Sequence, residues 1–160
     1  MAITFKAEEI FQLAEQVEKN GVKFYRRAAY LHPDHRGFLE ELAEMEVEHA
    51  QKFVELRQTL SSVEKGSAGF DPDQEAKLFL QTLAATHGGE GDPDVVKQLD
   101  GEESLAEIIE TAIGLEKDTI IFYNQIIQNV PAEYGRDRVA EIIDQEKSHI
   151  VILSEKLKEV

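Results

Sequence analysis

Four long segments of the sequence repeat apolar residues every three or four positions, which is the spacing of one face of an α-helix. Proline and the residue before it resist continuation of a helix, so Pro33 marks a turn between the first and second segments and Pro131 a turn between the third and fourth. Short turns within each pair require antiparallel neighbours. The spacing predicts helices over residues 5–31, residues 36–64, Ser104 to Pro131, and Ala132 to near the C-terminus.

Residues 66–100 break the helical pattern and form the predicted connection between the two pairs. They contain five glycines and two prolines around a short apolar helix expected over residues 74–86. A helix of about 27 residues is about 40 Å long, so a chain returning to its starting end needs a connection of this length. We therefore expect one all-α domain over residues 1–160, a four-helix bundle of two hairpins with a long crossover.

One glutamate interrupts the apolar stripe of each long helix. These four residues are Glu18, Glu46, Glu116 and Glu146. A buried carboxylate is costly to ionise without a positive partner, so each of the four needs a counter-charge or a proton. Most of the other acidic side chains are expected on outer faces or in loops.

The second and fourth helices add a histidine three residues after the glutamate, at His49 and His149. Residues at i and i+3 share one helix face, so carboxylate and imidazole can reach the same ion. The halves of the chain repeat, since Glu46 and Glu146 are 100 residues apart, as are the two histidines. Two glutamate helices and two Glu-x-x-His helices are typical of a dinuclear carboxylate metal site.

The first and third helices carry a tyrosine seven residues after the glutamate, at Tyr25 and Tyr123. Seven residues are about two helical turns, so each tyrosine shares the inner face of its glutamate. Two interpretations remain open. The hydroxyls either orient the metal-binding glutamates as hydrogen-bond donors or belong to core aromatic residues that find some other partner.

Composition excludes several classes of function. The 160 residues include 32 acidic and 17 basic side chains, for a net charge of −15, which disfavours nucleic acid and anionic membrane surfaces. There is no cysteine, hence no disulfide, thiolate metal site or thiol nucleophile. No apolar run suits a signal peptide or a membrane span, so we expect a cytoplasmic protein.

The motifs EKNGVKFY, EVEH, EKDTIIFY and EKSH resemble those of the rubrerythrin branch of the ferritin-like superfamily, and the resemblance extends over residues 5–157. It implies a ferritin-like bundle that binds two iron ions. Carried over by position, the bridging ligands are Glu46 and Glu146. The complete ligand set implied by the resemblance is Glu18, Glu46, His49, Glu116, Glu146 and His149.

Two features depart from the rubrerythrin pattern. The sequence lacks the four cysteines of a rubredoxin domain. Rubrerythrins also carry an extra glutamate one turn from the ligand of the third helix, where this chain has Ile113, Thr119 and Ile120. The expected site is therefore the more symmetric one with six ligands.

Four carboxylates and two imidazoles suit iron or manganese, with zinc as a substitute. The resemblance implies an oxidoreductase that reduces hydrogen peroxide, or dioxygen, as a homodimer. Electrons must come from a separate donor protein, because the sequence offers no second redox centre. The alternatives are an iron-storage protein with ferroxidase activity, a dimanganese protein that disproportionates peroxide, and a metal-free interaction bundle.

Overall fold

The computed structural model describes residues 4–65, 75–87 and 89–160, and within these ranges the regular secondary structure is entirely helical. This confirms the expected all-α fold. The helices are α1 (Ala7–Leu31), α2 (Arg36–Gln58), α3 (Ser62–Lys65), α4 (Glu75–His87), α5 (Leu105–Ile126) and α6 (Arg136–Leu157). The long helices pack as two pairs, α1 with α2 and α5 with α6.

Local hydrogen bonds end some helices at residues other than those predicted from the apolar spacing. The second helix was predicted to reach residue 64, but α2 ends at Gln58. Ser61 Oγ accepts from the Glu64 amide (3.2 Å) while the Glu64 carboxylate accepts from the Ser61 amide (2.7 Å), and this reciprocal cap begins α3 as a new helix.

The turn between α5 and α6 is also longer than predicted. Helix α5 ends at Ile126, and short 3₁₀ turns at Ile127–Asn129 and Ala132–Tyr134 follow. Helix α6 begins only at Arg136, because Gly135 adopts a left-handed φ of 94° that interrupts the helix. The predicted start of the third long helix is confirmed, since Ser104 and Glu107 form a reciprocal cap with distances of 3.1 and 2.7 Å.

Two apolar cores occupy the two ends of the bundle. One includes Phe11 and Phe53 with the second half of α5 and the first half of α6. The other includes Phe24 and Leu39 with the first half of α5 and Leu153. The stripe glutamates lie along the helices between these cores. The bundle therefore encloses a polar layer between two apolar layers.

The crossover packs a polar turn between the helix pairs. Helix α4 agrees with the helix predicted over 74–86 to within one residue at each end, while residues 66–74 and 88 lie outside the described ranges. The turn Gly89–Gly91 follows and contacts α1, α4 and α5. None of the described helices has the length and apolar character needed to cross a bilayer.

Candidate metal centre

The four stripe glutamates converge at the centre of the bundle. Glu18, Glu116 and Glu146 are fully buried, and Glu46 is 3% exposed. The two apolar cores hold these side chains away from water, because each helix presents its glutamate between apolar residues of the same inner face. The prediction that all four lie inside the bundle is confirmed.

The two histidines lie beside these carboxylates. Nδ1 of His149 is 2.8 Å from Glu116 Oε1, 3.5 Å from Glu146 Oε2 and 3.8 Å from Glu46 Oε2. Nε2 of His149 is 3.2 Å from Nε2 of His49. The 2.8 Å contact between Nδ1 of His149 and Glu116 is a hydrogen bond. The two nitrogens of His149 therefore face different neighbours, Nδ1 the carboxylates and Nε2 the imidazole of His49.

Donor atoms from the predicted ligands form two groups in which every atom lies within 4.8 Å of the others. One group takes its atoms from Glu18, Glu46, His49 and His149. The other takes its atoms from Glu116, Glu146 and His149. The structure therefore brings all six predicted side chains together in two groups that share His149.

Most of the buried oxygens have no hydrogen-bond donor among the described residues. This applies to both carboxylate oxygens of Glu18 and Glu146 and to one oxygen each of Glu46 and Glu116. Native structures rarely leave a buried polar atom unsatisfied, so each case calls for an explanation. A cation bound by these oxygens would supply the missing partner, and the residues present therefore fit a metal centre.

Burial changes the protonation of the carboxylates. It raises the pKa of Glu18 well above 4.5, and the charges of Glu146 and Glu46 reinforce the shift. Burial, with Glu46, also raises the pKa of Glu146 to about 8, and burial with Glu90 raises that of Glu116. The metal-free cluster is therefore expected to retain protons at neutral pH, which incoming cations would displace.

Burial has the opposite effect on the histidines. It lowers the pKa of His49 to about 3, with further contributions from His149 and Lys52. The pKa of His149 is also lowered by burial, although Glu46 opposes the shift. Both imidazoles are therefore neutral at pH 7, which is the form that binds a metal ion.

Tyr25 and Tyr123 are fully buried, as their position on the inner faces predicted. Neither hydroxyl forms a hydrogen bond with a described residue. Burial raises the pKa of both hydroxyls. The charge that adds most to this shift is that of Glu46 for Tyr25 and that of Glu146 for Tyr123. The hydroxyls keep their protons and lie near the predicted bridging carboxylates, but their role in orienting those carboxylates stays a prediction.

A fifth carboxylate lies in this layer that the helical pattern did not predict: Glu90 of the crossover turn, which is fully buried. One of its oxygens lies within 4.8 Å of oxygens of Glu46 and Glu116. The expectation of only four interior carboxylates at the site is therefore wrong. Glu90 has no helical periodicity to mark it, and a Gly-Glu-Gly sequence is typical of an exposed turn. A separate buried carboxylate, Glu15, pairs with Arg57 at 2.8 Å.

Comparison with known proteins supports the architecture. No protein-family model and no curated protein matches the sequence. A 2.30 Å crystal structure from Thermotoga maritima, described as a ferritin-like diiron-carboxylate protein, is similar in fold with a TM-score of 0.57. The two sequences are 26% identical, over 98% of this chain and 97% of that one. The helical bundle and this similarity together show that the chain has an all-α, ferritin-like fold.

Proposed function

We propose that this chain is a di-iron carboxylate protein of the rubrerythrin type that reduces hydrogen peroxide, or dioxygen, with electrons from a separate donor protein. The observation that carries the proposal is the buried cluster of carboxylates, most of whose oxygens lack a hydrogen-bond donor among the described residues, flanked by two neutral histidines. The description of the Thermotoga maritima protein as a diiron-carboxylate protein supports iron as the metal.

The proposed ligands come from the two donor groups, which share His149. Glu18 and His49 would contribute to one ion, and Glu116 and His149 to the other. The resemblance assigns the bridging role to Glu46 and Glu146. Carboxylate and imidazole donors suit iron and manganese, and zinc could substitute without redox chemistry.

Two ferrous ions held side by side can supply two electrons to an O–O bond. Reduction of one peroxide molecule consumes those two electrons and two protons and yields two water molecules. The protein contributes a water-poor layer between apolar cores and a fixed set of anionic ligands that stabilises the higher charge of the oxidised ions. Because the sequence has no cysteine for a second thiolate centre, the electrons would come from another protein.

Anaerobic titration with Fe²⁺ tests the proposal directly. We expect two ions per chain, followed by rapid formation of ferric absorption on addition of one peroxide per two irons. A second sample receives air in place of peroxide, and the two rates identify the preferred oxidant. Dithionite should then restore the ferrous form. Binding of no iron, or of iron that peroxide does not oxidise, would contradict the proposal.

Three further measurements separate the competing functions. Iron storage predicts a cage-sized particle that takes up many more than two ions per chain. A dimanganese protein would carry manganese after purification from its natural source and would release dioxygen from peroxide. The rubrerythrin-type proposal includes a cytoplasmic homodimer. Light scattering of the iron-loaded protein measures the particle mass and so checks the dimer.

A further inference from the structure

The crossover places a buried carboxylate in the interior of the bundle from a short turn and not from a long helix. Glu90 stands at the centre of the Gly89–Gly91 turn, with no exposed surface. Neither of its carboxylate oxygens has a hydrogen-bond partner among the described residues. No ion pair within the described part of the chain involves Glu90, and one of its oxygens lies within 4.8 Å of oxygens of Glu46 and Glu116.

Hydrogen bonds from both helix pairs hold the backbone of this turn. The side-chain amide of Asn20 on α1 donates to the Glu90 carbonyl at 2.8 Å. The Glu90 amide donates at 3.2 Å to Oγ1 of Thr119 on α5, which itself donates to the Leu115 carbonyl. The main chain of Glu90 is therefore fixed on two sides, and its side chain enters the carboxylate layer beside Glu46 and Glu116.

Glycines make room for this arrangement. Gly89 has a left-handed φ of 57°, and a Cβ there would lie 2.2 Å from the Leu115 carbonyl oxygen. On α1, a Cβ at Gly21 would lie 3.2 Å from Oε2 of Glu90 and 3.3 Å from Cδ of Glu46. The close approach of the turn to both helices thus depends on two glycines, Gly89 on the turn and Gly21 on α1.

A buried, unpaired carboxylate beside other carboxylates would be strongly unfavourable unless it binds a proton or a cation. We propose that Glu90, contributed by the crossover, is a fifth carboxylate ligand of the metal pair and acts beside Glu46 of α2 and Glu116 of α5. This inference rests on the proposed function. A metal ion bound by these residues would then link the crossover turn to both helix pairs and restrict its motion. Five carboxylates also exceed the charge of two divalent ions by one, so the set favours an oxidised pair over a reduced one.

The variant Glu90→Gln tests this assignment, because glutamine keeps the size of the side chain and removes the charge. We expect Fe²⁺ affinity for at least one of the two ions to fall at least about 10–100-fold, the range found when even an outer partner of a ligand is lost. The matched control is Glu102→Gln, the same change at an exposed residue near the end of the crossover. It should bind iron as the unmodified protein does.

A second readout follows amide hydrogen exchange in the Gly89–Gly91 turn and in α4. Loading with Fe²⁺ should slow this exchange in the unmodified protein and in Glu102→Gln, and much less in Glu90→Gln. If Glu90 is only a protonated core residue, Glu90→Gln binds two ions with unchanged affinity and shows the same metal-dependent protection. That result would overturn the assignment while leaving the proposed di-iron function intact, whereas failure of the unmodified protein to bind iron would overturn both.

The variant Gly21→Ala provides a test that leaves every charge in place. The added methyl group would crowd Glu90 and Glu46, so iron affinity should fall while the metal-free protein stays folded. Gly114→Ala is the matched control on α5, since a Cβ there meets nothing within 4 Å. It should leave iron binding unchanged and raise the melting temperature by about 2–4 °C through helix propensity. Equal iron affinity in both variants would contradict a close fit of Glu90 to the metals.

Discussion

Replacement of Glu146 by glutamine is expected to reduce bound iron from two ions to fewer than one per chain without unfolding the protein. Glu146 is fully buried, and its Oε2 lies 3.5 Å from Nδ1 of His149. As a proposed bridging ligand it would contact both ions, so its loss should weaken the binding of both. The affinity should fall by more than the roughly 10–100-fold associated with loss of an outer partner of a ligand. Anaerobic titration with Fe²⁺ and metal analysis after desalting measure the effect.

The metal-free form of the same variant should behave in the opposite way. Glutamine removes a group that is costly to bury in its charged form, so its melting temperature should equal or exceed that of the unmodified metal-free protein. Glu155→Gln, at an exposed position of the same helix, is the matched control and should keep both ions. Retention of two tightly bound ions by Glu146→Gln would contradict the bridging role.

The metal-free protein is expected to lose stability as pH rises from about 6.5 to 8, and iron loading is expected to abolish most of that loss. Burial raises the pKa of Glu146 from 4.5 to about 8 and also raises those of Glu18, Glu90 and Glu116. The folded protein therefore holds protons that the unfolded chain has already released. A carboxyl group of this kind contributes full stability below pH 4.5 and loses it as pH rises through its folded pKa.

The histidines define the lower limit of this pH window. Their folded pKa values lie below 6.5, so their contribution to stability is present above pH 6.5 and is lost as pH falls below it. The two effects oppose each other between pH 4.5 and 6.5. Above pH 6.5 the carboxyl groups dominate, at about 1.4 kcal/mol per pH unit for each proton retained.

Thermal unfolding of metal-free and iron-loaded protein across this window, under anaerobic conditions, measures the effect. The difference in melting temperature between the two forms should widen with pH, because metal binding displaces the protons. Glu146→Gln should flatten the pH dependence of the metal-free protein. Metal-free stability that is constant or increases from pH 6.5 to 8 would show that these carboxyl groups do not retain protons in the folded state.

The helices and the side chains that meet at the candidate site could be predicted from the sequence because helical periodicity is local. A stripe of apolar residues defines the inner face, and a glutamate on it, such as Glu116, must then be buried. His149 follows from Glu146 by the same geometry, since three residues return to the same face. Helix ends were less predictable, because the caps at Ser61 and Gly135 compete with a periodic pattern that continues past them.

Glu90 could not be found in this way. Its neighbours in sequence are glycines, and a turn carries no periodicity to indicate which side chain faces inward. Its burial depends on Asn20 and Thr119, which are 70 and 29 residues away in the chain. Contacts over such separations exist only after the helix pairs have assembled.

The sequence by itself determined the number and direction of the long helices and the presence of one glutamate on each inner face. Local spacing is enough for this, because a helix has a fixed number of residues per turn. Only the tertiary structure decided that His49 and His149 meet at 3.2 Å and that the crossover adds Glu90 to the four helical carboxylates. These features depend on how separate segments pack. Because burying unpaired charge is costly, the five carboxylates favour the proposed metal as their partner.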